Sequence, residues 1–219
     1  LVYGYYPEVV TSSGKEEQIL KLLSDSFLYK DILMLDQIKK PESLVKLLQA
    51  LAYQIGSQVS YNELAQLTNL DAKTVEKYLV LLERAFVIFR LGSFSRNLRN
   101  ELKFTRKIYF YDNGIRNALI NNYMLFENRI DTGALWENFV ISERKKFLHY
   151  NRLNTNTWFW RTKQQNEIDY LEERNGILSA YEFKWNPLAR IKEPGVFMKA
   201  YPEAGFSVIH YDNIEEFIM

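Results

Sequence analysis

The chain is expected to fold as an α+β protein, and three observations predict it. Residues 41–84 carry apolar positions at helical spacing, interrupted where capping residues stand. Residues 167–184 alternate polar and apolar positions on either side of Asn175-Gly176, the pattern of two strands joined by a tight turn. From Thr132 onward the segments read helix, strand, strand, strand, helix, strand. The expected organisation is a helical connector over 1–40, a helical module closed by a two-stranded wing over 41–111, and an αβββαβ domain over 112–219.

Composition sets the limits. A chain of 219 residues with 47% apolar content can bury a substantial core. Its 28 basic and 27 acidic residues leave a net charge of only +1, so any affinity for nucleic acid must come from local patches. Cysteine is absent, which excludes a disulfide framework and cysteine metal sites. No signal-like segment and no apolar run near 18 residues occurs, so a cytoplasmic protein without a membrane partner is expected. The chain starts at Leu1 without an initiator methionine, as expected of a fragment of a longer protein.

In the connector, Ile19, Leu22, Leu23, Phe27, Leu28, Ile32 and Leu35 recur at helical spacing between Lys15 and about Ile38, giving one helix or two. Pro41 suits the start of the next helix, whose buried stripe is Leu44, Leu47, Leu48 and Leu51. Ser60 and Glu63 have capping-box spacing and open a helix from Tyr61 to Leu67. Asp71 caps a third, Ala72 to Arg84, with Val75, Leu79 and Leu82 inward. Phe86 to Leu91 and Ile108 to Tyr111 are strand-like, joined by a long polar loop. Three helices and a two-stranded wing make a winged helix-turn-helix.

In that arrangement the third helix presents Lys73, Thr74, Lys77 and Tyr78 to solvent. The loop from Arg90 to Lys107 holds Arg90, Arg96, Arg99, Lys103, Arg106 and Lys107 against a single acid, Glu101, with Phe94 and Phe104 interleaved. Lys73, Lys77, Arg96, Arg99, Lys103 and Arg106 are therefore the candidate contacts to DNA or RNA phosphates. The same surface reads equally well as a protein-docking face.

The last region begins with a helix marked by Leu135, Trp136, Phe139, Val140 and Phe147 and running to about His149. A strand over Thr157–Arg161, the hairpin, a helix from about Arg190 to Tyr201, a strand over Phe206–Tyr211 and a short terminal helix follow. A two-residue type I′ loop at Asn175-Gly176 sets Arg174 against Ile177, and hence Asp169 against Glu182 and Glu167 against Lys184. Strict alternation then sends all four to one side of the sheet, with opposed Cβ atoms roughly 5 Å apart. Like charges so opposed destabilise the pair unless a cation compensates, and a divalent ion is the natural candidate. That is the chemistry of a metal-dependent phosphodiesterase; an ordinary network of cross-strand ion pairs is the competing reading.

Other constellations are weaker. His149 ends a helix and His210 sits in an apolar strand, neither with a metal-ligand partner at useful spacing. Gly14-Lys15 lacks the upstream glycine of a phosphate loop, so no ATPase activity is expected from this chain. The many tyrosines and phenylalanines are expected to fill an aromatic-rich core rather than a base-stacking surface.

The order of elements from Thr132 resembles the core of the PD-(D/E)xK restriction-endonuclease-like fold, and Asp169 followed after twelve residues by Glu182-x-Lys184 is similar to its signature. Acid-x-Lys triplets also begin at Asp71, Glu101 and Glu143, so the triplet has weight only through the hairpin around it. The resemblance implies that Asp169 and Glu182 hold Mg or Mn, that Lys184 positions the attacking water or offsets charge, and that Glu137 is a further acidic catalytic residue. Glu137 and Glu167 would complete the coordination.

Several segments in order carry a second resemblance: Leu1-Val2-Tyr3-Gly4-Tyr5-Tyr6-Pro7-Glu8-Val9-Val10, Asp112-Asn113-Gly114-Ile115-Arg116-Asn117, Gly133-Ala134-Leu135-Trp136-Glu137-Asn138, Glu167-Ile168-Asp169-Tyr170 and Glu182-Phe183-Lys184. Together they look like the C-terminal half of a family of prokaryotic predicted AAA+ ATPases. That resemblance implies an upstream P-loop module that binds ATP and supports oligomers, a winged helix, and a nuclease-like domain of unknown function. Two functions follow as expectations: a nucleic-acid processing module with a metal-dependent cutting site, or a non-catalytic regulatory or docking region that keeps the fold.

Overall fold

A computed structural model of the chain describes residues 1–26, 38, 40–95, 106–189 and 191–219. The architecture is mixed α+β, with a seven-stranded mixed sheet among the described residues whose strands lie in the spatial order 58–59, 106–110, 88–93, 156–161, 167–174, 177–183 and 205–209. The described residues fall into two compact units, Leu1–Arg90 with Lys107–Phe139, and Leu91–Arg106 with Val140–Met219. The expected cut between Tyr111 and Asp112 lies inside the first of these.

The first unit opens with α1 (Pro7–Val10) and α2 (Glu16–Ser26). The rest of the expected connector helix, including Phe27, Leu28, Ile32 and Leu35, lies outside the described residues. Helix α3 (Pro41–Tyr53) has proline in its first turn, where the missing N–H costs nothing, and buries Leu44, Leu47, Leu48 and Leu51. Each such leucine contributes about 2 kcal/mol relative to exposure. A two-residue strand β1 (Gln58–Val59) precedes α4 (Tyr61–Thr68). The Ser60 hydroxyl caps α4 by accepting the Glu63 N–H at 3.4 Å, and Asn69 ends it in the left-handed conformation.

Helix α5 (Ala72–Arg84) is capped by Asp71, which accepts the Thr74 N–H at 2.9 Å. It is amphipathic, but Tyr78 is only 5% exposed. The expectation that Tyr78 faces solvent is corrected: it stands three residues from Val75 and four from Leu82, on the same inward stripe. Strands β2 (Ile88–Ser93) and β3 (Arg106–Phe110) follow, with β2 starting later than expected. Phe86 takes a φ of 55° to turn the chain out of α5, so it cannot begin a strand.

Helix α6 (Asn113–Leu119) is not among the expected elements, and Asp112 opens it. One carboxylate oxygen accepts the Ile115 N–H at 3.0 Å and caps α6, while the other accepts the Tyr5 N–H at 2.7 Å. Asn117 donates to the Val2 carbonyl at 2.8 Å, fastening the N-terminal segment to the same helix. Glycine is required at 114 by close approach: a Cβ there would stand 2.2 Å from the Tyr3 carbonyl oxygen. Below α6, Arg116 and Arg129 converge on Asp131 at 2.6 and 2.8 Å.

Helix α7 (Thr132–Tyr150) belongs to the first unit through Phe139 and to the second from Val140, and β4 (Asn156–Arg161), β5 (Glu167–Arg174), β6 (Ile177–Phe183), α8 (Gly195–Ala200), β7 (Gly205–Ile209) and α9 (Ile214–Ile218) lie in the second. The αβββαβ order is the order expected. Helix α8 starts later than expected because Pro194 disfavours helical backbone at Glu193; the expected start, Arg190, lies outside the described residues. Strands β4, β5 and β6 are antiparallel, whereas β6 pairs β7 and β2 pairs β4 in parallel. Trp160, Ile168, Leu171, Leu178, Ala180 and Phe197 form one apolar cluster of this unit.

Candidate functional site

The hairpin fixes the site. Asn175 and Gly176 have φ values of 53° and 80°, the pair of positive angles a type I′ loop demands. The ladder runs from Arg174 opposite Ile177 to Tyr170 opposite Tyr181, the expected register. At Asp169 regular pairing gives way to a side chain, as the Phe183 N–H donates to Asp169 Oδ2 at 2.9 Å.

The reason lies on the other side of β5. Trp158 pairs with Leu171 but Trp160 pairs with Ile168, so two steps along β4 match three along β5. The extra residue is a β-bulge between Ile168 and Leu171, and it takes in Asp169 and Tyr170. Strict alternation therefore does not hold through the site. The bulge re-aims Asp169 toward the end of β6, beside Glu182.

Glu182 is the electrostatic centre. Burial, and after it the Asp169 charge, push its carboxyl above the usual range, with a smaller push from Glu167. Lys184 pulls the other way: its Nζ lies 2.9 Å from Glu182 Oε1. Asp169, Glu182 and Lys184 are thus brought together. Glu167 lies near enough to act on Glu182 but pairs across β4, with Arg161 Nε 3.5 Å from its carboxylate.

Glu137 is held within the first unit. Lys107 Nζ and the Tyr109 hydroxyl donate to its Oε1 at 3.0 and 2.5 Å. Among the described residues, no group of three or more His, Cys, Asp or Glu side chains is placed to hold a metal ion. The arrangement is a repelling pair of carboxylates with a lysine, rather than a cage of four acids. Two carboxylates suit Mg²⁺, which keeps several waters and takes its remaining ligands from substrate.

The expected nucleic-acid contacts divide. Lys73 and Lys77 are exposed on α5, where with Glu76, Val80, Leu81 and Arg84 they line an open concavity of about 410 Å³. Arg106 begins β3 and is half-buried, while Arg96, Arg99 and Lys103, with Glu101 and Phe104, lie outside the described residues. Two wing cations are committed elsewhere. Arg90 makes a forked pair with Glu83 and donates to the Tyr61 hydroxyl, and Lys107 is 4% exposed and paired with Glu137.

Two features escaped the sequence reading. Glu172, 6% exposed, is clamped by Arg144 at 2.7 and 2.8 Å. An acid at the apolar parity of a strand was the available signal. Tyr211 is exposed rather than core, and Trp185 is exposed beside it, with rings 5.1 Å apart.

Comparison with known proteins gives a family without a function. Residues 1–124 match a domain of unknown function, DUF8612, and residues 132–217 match another, DUF4143. Uncharacterized proteins of Mycobacterium bovis and Mycobacterium tuberculosis are each 29% identical over 161 residues, 73% of this chain and 36% of theirs. An uncharacterized protein of Methanocaldococcus jannaschii is 23% identical over 243 residues, 99% of this chain and 52% of its own. The chain thus spans between about a third and a half of these relatives. No solved structure matches it significantly. Among the described residues no helix is long and apolar enough to cross a membrane.

Proposed function

The chain belongs to the DUF8612 family, and from its own residues we propose that it is part of a nucleic-acid processing protein whose second unit hydrolyses phosphodiesters with Mg²⁺ or Mn²⁺. The observation that carries this reading is the grouping of Asp169, Glu182 and Lys184 at the end of β6, where Asp169 Oδ2 accepts the Phe183 N–H at 2.9 Å and Lys184 Nζ lies 2.9 Å from Glu182 Oε1. Asp169 and Glu182 would hold the ion, which when bound lowers the pKa of a coordinated water and offsets phosphate charge. Lys184, whose side chain is 40% exposed, is positioned to exchange Glu182 for a non-bridging phosphate oxygen when substrate arrives. The bulge at Asp169 holds that carboxylate toward Glu182 instead of leaving it to the alternation of the strand.

The first unit supplies binding in this proposal. Helices α3, α4 and α5 with β2 and β3 are read as a winged helix-turn-helix whose third helix presents Lys73, Lys77 and Arg84 to a duplex. These lie four and seven residues apart, on one face. The PD-(D/E)xK and AAA+ relationships stay proposals of the same kind, with ATP and oligomer formation assigned to a module outside this chain. A second reading, a regulatory or protein-docking region, is favoured by the direct Lys184–Glu182 pair and by the burial of Lys107.

The test is cleavage of single-stranded, duplex and branched DNA and of RNA with Mg²⁺ or Mn²⁺. Cleavage that disappears with Asp169→Ala and with Lys184→Ala supports the proposal. Absence of metal-dependent cleavage on every substrate, with the chain alone and within its full-length protein, leaves the docking reading.

A further inference from the structure

Strands β6 and β7 run parallel in a fixed register, from Ser179 beside Gly205 to Phe183 beside Ile209. The Lys184 N–H continues it by donating to the Ile209 carbonyl at 3.0 Å. Two residues past Phe183 and Ile209, the same offset brings Trp185 beside Tyr211, and their rings stand 5.1 Å apart at 47°. These aromatics are 38% and 47% exposed, while Tyr170, Phe159, Phe183, Phe197 and Phe217 of the same unit are buried. Exposing a tryptophan and a tyrosine together forgoes a large burial gain that those five rings take.

The place of the pair narrows what it meets. It stands just past the carboxyl ends of two neighbouring parallel strands, at the same end as Lys184. Lys184, one residue away, carries the cation of the candidate phosphodiester site. The groups flanking Tyr211 are His210 and Asp212, joined by an Asp212 N–H to His210 Nδ1 bond of 3.3 Å. An exposed pair of π-faces one residue along the chain from a cation matches a nucleotide: the base stacks and the phosphate, a flexible backbone away, meets the lysine. A base inside a duplex already has both faces covered, so only an unpaired base can use such a platform.

We infer that Trp185 and Tyr211 stack an unpaired nucleobase beside Lys184, which makes single-stranded nucleic acid the substrate class of the Asp169–Glu182 site. The inference rests on the phosphodiester reading above for its reaction, but its binding step is measurable without cleavage. The probe is a fluorescein-labelled oligothymidylate of about twelve residues, against a duplex of the same length, read by anisotropy and by tryptophan emission of the unlabelled complex.

The expected result is quenching of tryptophan emission by the single strand and roughly 5- to 100-fold weaker single-strand binding in Trp185→Ala. Tyr211→Ala weakens it in the same direction, Trp185→Tyr restores most of it, and duplex binding changes in none of them. Asp169→Asn keeps the quenching, which separates stacking from metal chemistry. Unchanged single-strand affinity in Trp185→Ala, or an equal loss for duplex, overturns the platform. Metal-dependent cleavage that ignores Trp185→Ala also overturns it and leaves the phosphodiester reading intact. Trp185-dependent single-strand binding without cleavage supports the platform and removes that reading. A protein partner captured at this face in competition with the oligonucleotide overturns it as well.

Discussion

Removing Arg144 is expected to be the most damaging single truncation in the second unit. Its guanidinium reaches Glu172 with two bonds of 2.7 and 2.8 Å, donates to the Phe217 carbonyl, and lies 4.5 Å over the Phe217 ring. Burial works to lower its pKa, but the Glu172 hydrogen bond and charge outweigh it and the net shift is upward. In Arg144→Met the Glu172 side chain, 7% exposed, loses its forked partner. An uncompensated buried charge costs about 3–5 kcal/mol. For a chain of this length that is a fall in Tm of about 6–20 °C. Thermal unfolding followed by circular dichroism measures it. The double variant Arg144→Met/Glu172→Leu removes the orphaned charge, so it should recover most of the loss. A single variant that costs under about 1 kcal/mol, or a double variant as unstable as the single, refutes the reasoning.

Three further outcomes are expected. Burial tends to raise the Asp131 carboxyl, but the Arg129 and Arg116 hydrogen bonds hold it below its ordinary range; burial meanwhile draws Arg116 down, yet the guanidinium stays cationic. A depressed carboxyl contributes stability above the unfolded value of about 4 that disappears as pH falls toward the folded value, so Asp131→Asn should lose stability at pH 7 and show a shallower acid decline between about pH 4 and pH 2 in denaturant titrations. Gly114→Ala sets a Cβ 2.2 Å from the Tyr3 carbonyl oxygen, a contact with backbone that cannot swing aside, so limited proteolysis within residues 1–10 should accelerate; an unchanged cleavage pattern contradicts the docking of that segment. Replacing Lys73, Lys77 and Arg84 together with glutamine should weaken duplex DNA binding and reduce the slope of log affinity against log salt by roughly one per lost phosphate contact, up to about three, and an unchanged slope removes α5 from the interface.

Much of this was legible in the residues because local rules and long-range packing agreed. Ser60, Asp71 and Asn175-Gly176 act through neighbours three or fewer positions away, so their spacing alone announces a cap or a turn. The Asp169 bulge was not legible, since it arises from a mismatch with β4 that hairpin parity cannot reveal. Glu137 shows the same limit: its partners Lys107 and Tyr109 lie thirty and twenty-eight positions away, and no pattern within α7 announces them. Asp112 was visible as part of a motif, but its second bond, to Tyr5 across 107 positions, belongs to tertiary structure. Tyr211 was expected to end a strand and to share an aromatic core, but β7 stops at Ile209 and leaves Tyr211 exposed beside Trp185, a pairing set by the parallel neighbour rather than by any local pattern.

The central claim is that Asp169 and Glu182 form a cation site, and Mn²⁺ titration followed by loss of the free-ion paramagnetic resonance signal tests it most directly. The account predicts saturable binding of one Mn²⁺ per chain, competed by Mg²⁺, strengthening as pH rises and the raised Glu182 carboxyl ionises, and abolished by Asp169→Asn or Glu182→Gln. Binding that survives both substitutions, or no binding at millimolar Mn²⁺, would contradict it.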